Sequence, residues 1–496
     1  MGSVTDPGAA ARRFLGEAHA PFIDGREQQP VAARACAVFN PADGTQISEF
    51  LPAGIAEADA AVNAARRAFR ERRWTGLTPS ARSQVLWRIG ELIERDAQEF
   101  AELETLDCGK LLAAARHGDV VIAAESFRYH AGWCTKLEGT TPAPTLAAAG
   151  EYACYTSHQP LGVAVLIVPW NGPLAMACWK LAPALAAGCS VVIKPPEQAS
   201  LSVLRLMRTL TEAGVPPGVV NVVTGPGATI GEALVRHPEV NKVSFTGSGL
   251  TGRRILAAAM PDLKRVTLEL GGKSAALVFA DADLERAAAG VSAGIFSNAG
   301  QVCVASSRLY VEAAVYGDFM RLMAEHARKI RVGPGMDADS QMGPVITAEH
   351  LRSIEQKVAR GRADGAELIS GGHVLARGGY YFEPTILARP PLASVVLREE
   401  IFGPVLCAQS FTDEAQAIEL ANDTQYPLAG SVWTRDLARA HRVAAAVEAG
   451  LFWVNDHGRP DVAIPFGGFR QSGLGREHGR ASVESYTELK SVMIRL

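Results

Sequence analysis

The residues best suited to chemistry stand in the stretch Phe296-Ser297-Asn298-Ala299-Gly300-Gln301-Val302-Cys303-Val304-Ala305-Ser306-Ser307. A cysteine sits here among small and apolar residues, just past the turn-prone Asn298-Ala299-Gly300. No cysteine at CxxC spacing and no nearby histidine makes it half of a redox pair or a metal ligand, and no metal site is expected. Two readings remain. A free cysteine is most often a buried small hydrophobe. Alternatively Cys303 is a thiolate nucleophile at a turn, which needs a base from elsewhere in the chain.

The elements that could position a base and a cofactor begin near residue 152. Residues 162–168 form a continuous apolar, β-branched run, which suits a strand buried on both faces. It stops at Pro169-Trp170-Asn171-Gly172-Pro173, where two prolines break regular pairing. A helix over 174–187 leads to a strand over 190–193, ended by Lys194-Pro195-Pro196-Glu197. A helix over 200–213, a strand over 219–223, a helix over 229–236 and a strand over 242–245 follow, then one more helix and a strand over 265–269. Strand and helix alternating at this spacing mean βαβ units and a parallel sheet covered by helices.

Ligands on such sheets bind at the carboxyl ends of the strands, where Asn171, Lys194, Glu197, Gly225, Ser248 and Glu269 stand. Gly247-Ser248-Gly249-Leu250-Thr251-Gly252 spells GxGxxG between a strand and a helix, a place for a pyrophosphate. By spacing alone Glu269 would be the ribose-binding acid. Glu197 beside Lys194 is the better choice, since the two together can hold an adenosine ribose. A carboxylate there repels a 2′-phosphate, so NAD is expected over NADP. The alternative for Lys194 and Glu197 is a surface ion pair, which is frequent and weak. Glu269 ends a buried strand beside two glycines that let another backbone come close. In an apolar site its pKa is raised, suiting it to activate a thiol or a water. Asn171 can donate an amide N–H to a developing oxyanion, as can the main chain of Cys303.

A second series follows Gly271-Gly272-Lys273. Strands are expected over 276–279, 307–311, 381–387, 430–433 and 452–455, the last a core strand. Helices are expected over 284–297, 315–330, 348–364, 414–422 and 437–449, with 398–405 as a turn and 465–477 as a glycine-laced loop. Earlier, 56–107 has helical periodicity, and its charges are expected on a solvated face. The tail 489–496 alternates like an edge strand.

The bulk properties narrow the class. At 496 residues the chain suggests two or three domains, and 48% hydrophobic with 20% charged residues describes a globular protein with ample core. A net charge of −3 and pI near 6.4 give no reason to expect nucleic acid or a membrane surface. The eight scattered cysteines do not form a disulfide framework in so long a chain. Residues 1–25 lack the apolar core of a signal peptide, and no uninterrupted apolar stretch reaches membrane-spanning length. A cytoplasmic location is expected.

Taken in order, Val168-Pro169-Trp170-Asn171, Lys194-Pro195-Pro196-Glu197, Phe245-Thr246-Gly247-Ser248, Leu268-Glu269-Leu270-Gly271-Gly272-Lys273, Gly300-Gln301-Val302-Cys303, Glu400-Ile401-Phe402-Gly403-Pro404 and the 465–477 loop resemble the aldehyde dehydrogenase superfamily over nearly the whole chain. The resemblance implies that Cys303 attacks an aldehyde to give a thiohemiacetal held by Asn171 and the Cys303 N–H. A hydride then passes to the nicotinamide, and Glu269 activates water to hydrolyse the thioester. Lys180 and Glu477 are expected on the proton path. The implied cofactor surface comprises Ile167, Val168, Pro169, Trp170, Lys194, Glu197, Gly225, Phe245, Gly247, Ser248, Leu270, Gly271, Glu400 and Phe402.

The resemblance also implies the architecture. The fold class is α/β, with a Rossmann-like cofactor domain at 1–139 and 159–270 and an α/β catalytic domain at 271–475. A small β oligomerisation arm at 140–158 and 476–496 completes it, with Glu488 supporting a homodimer or homotetramer interface. The substrate pocket is expected from Gly172, Met176, Trp179, Ser297, Val302, Val304, His457, Arg459 and Phe466. Aromatic residues frequent in the family are absent at Gly172, at Ser297 and in the loop 457–460, which should enlarge the pocket. The pattern is closest to the phenylacetaldehyde dehydrogenase branch, so a bulky, aromatic or extended apolar aldehyde is expected. Arg459 could instead greet a substrate carboxylate. The alternatives are an amino- or betaine-aldehyde enzyme, a CoA-acylating semialdehyde dehydrogenase, and a non-catalytic relative; Glu269 speaks against the CoA-acylating enzyme, and Cys303, Glu269 and Asn171 together against the non-catalytic relative.

Overall fold

The computed structural model describes residues 6–30, 34–146, 148 and 150–496. Its centre is a sheet of parallel strands in the order Arg265–Glu269, Lys242–Thr246, Val163–Ile167, Ser190–Lys194, Val220–Val222. Every residue of Val163–Ile167 and Ser190–Lys194 is buried. The cause is the two-sided cover that the apolar runs demand. Alternate side chains leave a strand on opposite faces: Ala164, Leu166, Val191 and Ile193 join one core with Leu181 and Leu206, whereas Val163, Val165 and Val192 join another with Val62 and Ile255. Antiparallel strands close the edges, Gly473–Leu474 on one side and Phe22–Ile23 with Arg26–Glu27 on the other.

The second sheet runs Glu367–Ser370, Thr385–Ala388, Val405–Phe411, Arg308–Glu312, Ala275–Val278, Ala429–Trp433, Leu451–Val454. It is parallel apart from Glu367–Ser370. The third element is a ribbon, Tyr152–Pro160 antiparallel to Thr487–Arg495. The fold is therefore α/β with two parallel sheets and a β arm, as the resemblance implies.

Several expectations change. The strand over 381–387 is only Thr385–Ala388, because Pro384 has no N–H to donate to a ladder. Val405–Phe411 is a buried strand rather than the end of a turn; its Cys407-Ala408-Gln409-Ser410 interrupts the apolar pattern that would mark it. Leu451–Val454 lies at the sheet edge and is half-buried, so it is not a core strand. The solvated face expected over 56–107 fails in the last of three helices there, Ala97–Cys108. Glu104 and Asp107 are fully buried because they satisfy helix N-termini. The main-chain N–H of Leu174 donates to Glu104 at 3.0 Å, and that of Leu201 donates to Asp107 at 3.1 Å. Burial pushes Glu104 up to about 7. Gly473–Leu474 pairs in the first sheet, Val483 and Tyr486 pack into the first core, and the ribbon strand begins at Thr487.

The two sheets are linked through Gly271-Gly272-Lys273, and Arg308 fastens that link. Its buried guanidinium donates to the carbonyls of Lys273 (2.8 Å), Leu420 (2.9 Å) and Ala421 (2.7 Å). Arg308→Leu strands these buried acceptors, and we expect a loss of about 3 kcal/mol, read as a lower urea midpoint of unfolding.

Candidate active site

The carboxyl ends of the first sheet face the start of the second across a cavity of about 210 Å³. Its wall includes Trp170, Asn171, Met176, Ser248, Cys303 and Glu400. A larger surface groove of about 680 Å³ beside Arg331 and Arg377 has no cysteine or histidine in its lining.

Cys303 reaches this cavity from a turn that follows the helix Leu284–Phe296. Asn298 and Ala299 both take left-handed backbone, φ 48° and 53°, and Gly300 follows at φ 71°. Side chains rarely tolerate this, and such strain is held only where the surroundings enforce it. The turn comes close because glycine opposes it: a Cβ on Gly272 would lie 2.3 Å from the carbonyl oxygen of Cys303. Burial and the carboxylates of Glu400 and Glu269 push the Cys303 thiol up to about 12, while the N–H groups of Val304 and Cys303 itself favour the thiolate. Asn171 donates through Nδ2 to the main-chain oxygen of Gln301 at 2.9 Å, which leaves its second amide N–H for the cavity.

Glu269 is buried and neither carboxylate oxygen has a hydrogen-bond partner. Burial first, then Glu477, raise its pKa well above the usual carboxylate range, against Lys180 and Arg476, which lower it. A Cβ on Gly467 would stand 2.7 Å from Oε1, so the carboxylate rests against that glycine. Lys180 pairs with Glu477, and one hydroxyl joins them: Lys180 Nζ donates to Ser244 Oγ at 3.1 Å, and Ser244 Oγ donates to Glu477 Oε1 at 3.0 Å.

Ser248 caps the helix Gly249–Ala259, accepting from the N–H of Thr251 at 3.2 Å, so a helix N-terminus opens onto the cavity rim. Phe245 packs beneath Gly247, where a Cβ would meet its ring at 2.5 Å. Glu400 accepts from the N–H of Gly272 at 3.0 Å and crowds Gly271; burial pushes it up to about 7. Trp170 meets Phe402 edge-on at 5.3 Å and His350 at 5.6 Å. Leu270 completes this part of the wall. Farther along the sheet edge, beyond the cavity lining, lie Ile167, Val168, Lys194, Glu197 and Gly225. The N–H of Val168 donates to the carbonyl of Lys194 at 3.1 Å, and Ile167 stands opposite Lys194 in the ladder. Lys194 is buried, which lowers its pKa, and its Nζ donates to the carbonyl of Pro195, whereas Glu197 accepts from the N–H of Gly227 at 3.1 Å. Gly225, at φ 134°, lies against Ala53 and Ile230.

On the other side of Cys303, Trp179, Val304 and Phe466 form an apolar cluster with Leu428, flanked by Met176 and Val302. Three of the expected pocket positions make other contacts. His457 is buried and spends its ring on the scaffold, 2.7 Å from the Val304 carbonyl and 2.9 Å from Ser431 Oγ; burial lowers its pKa to about 4. Arg459 has an 84% exposed side chain and pairs with Asp456 at 3.5 Å. At Gly172, Lys110 Nζ and Asp119 Oδ1 lie 3.4 and 3.3 Å from where a Cβ would stand, and they pair at 2.5 Å. Ser297, by contrast, is exposed at the end of its helix. Lys110 and Asp119 carry no motif, and His350 looks like the face of a helix; contact alone reveals them.

The Aldehyde dehydrogenase family model matches residues 28–492. The phenylacetaldehyde dehydrogenase of Pseudomonas fluorescens is 43% identical over 96% of each chain. The betaine aldehyde dehydrogenase of Bacillus subtilis (strain 168) is 41% identical over 95% of this chain and 96% of its own. Among solved structures, the NAD+ complex of an aldehyde dehydrogenase from Bacillus cereus superposes with TM-score 0.97 at 38% identity, covering 99% of both chains.

Neutralising a carboxylate beside a thiol lowers the thiol pKa. Glu400→Gln is therefore expected to speed iodoacetamide alkylation of Cys303 several-fold at pH 8, with the pH–rate curve moved to lower pH.

Proposed function

The chain belongs to the aldehyde dehydrogenase family and is an oxidoreductase acting on the aldehyde group; within that family, we propose that it oxidises a bulky, aromatic or extended apolar aldehyde to the acid with NAD. The observation that carries the reading is that Cys303 and Asn171 line one cavity while the buried, unpartnered Glu269 lies near enough to raise the pKa of the Cys303 thiol.

The residues present fit the cofactor. The helix N-terminus at Ser248 suits its pyrophosphate, Glu400 its nicotinamide ribose, and Lys194 with Glu197 its adenosine ribose. Glu197 also opposes a 2′-phosphate, which favours NAD over NADP. When bound, NAD accepts the hydride from the substrate carbon.

The protein's own groups do the rest. Glu269 takes the Cys303 proton, and the sulfur adds to the aldehyde carbon. The oxyanion receives N–H bonds from Asn171 and from the main chain of Cys303, the kind of donor whose removal costs about 10²–10³-fold in rate. In the second half Glu269 takes a proton from water as it attacks the thioester, and the carbon–sulfur bond breaks to free the thiolate. Lys180, Ser244 and Glu477 carry the proton away.

The apolar wall of Trp179, Phe466, Val304 and Met176 supports an apolar tail on the substrate. The relatives include both a phenylacetaldehyde and a betaine aldehyde enzyme, so their names do not choose. Following the same reading, residues 1–139 and 159–270 serve the cofactor, 271–475 the reaction, and the arm a homodimer or homotetramer. The exposed Leu489, Met493 and Ile494 on the arm support a partner there. Glu488 already pairs with Arg265 at 2.7 Å. All eight cysteines are free, which supports the reducing cytoplasm. Among the described residues no helix is long and apolar enough to cross a membrane.

Glu269→Gln should slow both halves, the first-turnover formation of NADH and the steady-state turnover each falling by about 10²-fold; a first turnover or a steady state at the normal rate contradicts the assigned base. In the same assay, phenylacetaldehyde should exceed acetaldehyde and betaine aldehyde in kcat/KM, and NAD should exceed NADP.

The base works only when ionised, and its pKa is raised, so the hydrolytic step should accelerate as pH rises through that value. Lys180 is among the groups lowering that pKa. Lys180→Met is therefore expected to move the ascending limb of the kcat–pH profile to higher pH.

A further inference from the structure

Asn171 offers its oxyanion donor through a carboxamide, a group whose two ends differ in chemistry but hardly in shape. Turned over, it would present an oxygen to the cavity and repel the developing charge. Something must fix which end faces Cys303. The main-chain carbonyl of Gln301 accepts from Asn171 Nδ2 at 2.9 Å, so it tolerates only the amino end. That carbonyl is itself held by Asn298, whose Nδ2 lies 3.3 Å from it and 3.3 Å from the main-chain oxygen of Asn171. One side-chain amide thus ties the two backbones whose spacing sets the Asn171 rotamer. The Gln301 side chain locks the same loop from behind: Nε2 donates to the Asn298 carbonyl at 3.0 Å, and Oε1 accepts from the N–H of Ile346 at 2.9 Å. Gln301 is fully buried. Asn298 keeps left-handed backbone to make these bonds, a conformation that asparagine tolerates better than most residues.

We propose that Asn298 is a positioning residue for the oxyanion donor, acting through Asn171 and the Gln301 carbonyl rather than on the substrate. The proposal rests on the reading of Asn171 as that donor.

Asn298→Gly keeps the left-handed backbone and deletes only the amide. First-turnover NADH formation at saturating NAD should slow about 10-fold in this variant and about 100-fold in Asn171→Ala. The double variant should be within twofold of Asn171→Ala alone, because a positioning residue has nothing left to position. Iodoacetamide alkylation of Cys303 should be unchanged in Asn298→Gly. Asn298→Asp, which keeps the size and replaces the donor by an acceptor, should slow the first turnover at least as much, and it carries the test if the glycine variant does not fold. A normal first turnover in either Asn298 variant overturns the proposal. So does a double variant slower than Asn171→Ala by the full Asn298→Gly factor, or an equal loss of alkylation, which means the turn itself has moved. If Asn171→Ala has a normal first turnover, the oxyanion reading falls and takes the proposal with it; if Asn171→Ala is slow and Asn298→Gly is not, only the proposal falls.

Discussion

Two sheets can share one site only if their backbones touch, and here that contact is made between glycines and carbonyls. A Cβ on Gly272 would sit 2.3 Å from the Cys303 oxygen, and one on Gly300 would sit 2.0 Å from the Gly403 oxygen. Real side chains cannot occupy either place. The first contact brings the nucleophile turn against the end of the strand that carries Glu269. The second brings that turn against the segment carrying Glu400 and Phe402. The glycines of the Gly271-Gly272 and Gly300 motifs thus act as the joint between nucleophile, base and cofactor wall. Arg308 guards the same joint by holding the Lys273 carbonyl.

Such closeness forces charges into places without water, and the structure answers differently at each. Lys180 and Glu477 neutralise one another, and Ser244 bonds to both. Glu104 and Asp107 take N–H bonds from helix starts. Glu269 receives neither remedy. An isolated buried carboxylate is costly as an anion and holds its proton instead. That is destabilising for a scaffold and useful for a base, since a carboxylate whose pKa is raised by burial binds a proton more readily than an exposed one. Both oxygens of Glu269 are without a partner, which is the state that its proposed role as base requires.

The same contrast explains what the sequence could and could not tell. The strands from 163 to 269 were legible because burial on both faces demands unbroken apolar runs, and their ends display Asn171, Lys194, Ser248 and Glu269 in order. Glu104 and Asp107 look like a solvated face because helical spacing does not reveal what packs on top. His457 looked like a pocket wall by position, yet its ring is consumed by Val304 and Ser431. Lys110 and Asp119 lie in a stretch without any motif, and only the fold brings them beneath Gly172. Local pattern shows which way a chain runs; it does not show which buried partner a polar group has found.

That pair alters the argument about substrate. Small residues at Gly172 and Ser297 look like two removals from one wall, but they are not equivalent. Ser297 follows its helix with an exposed side chain. At Gly172 the Lys110–Asp119 pair lies 3.3–3.4 Å from where a Cβ would stand, so a larger residue there would press on an ion pair. The two positions therefore differ in what surrounds them. The opposite wall keeps Trp179 and Phe466, whose rings are 5.2 Å apart. A bulky apolar substrate of the kind proposed would pack its body against those rings, while the charges of Lys110 and Asp119 lie beside Gly172, next to the proposed oxyanion donor Asn171.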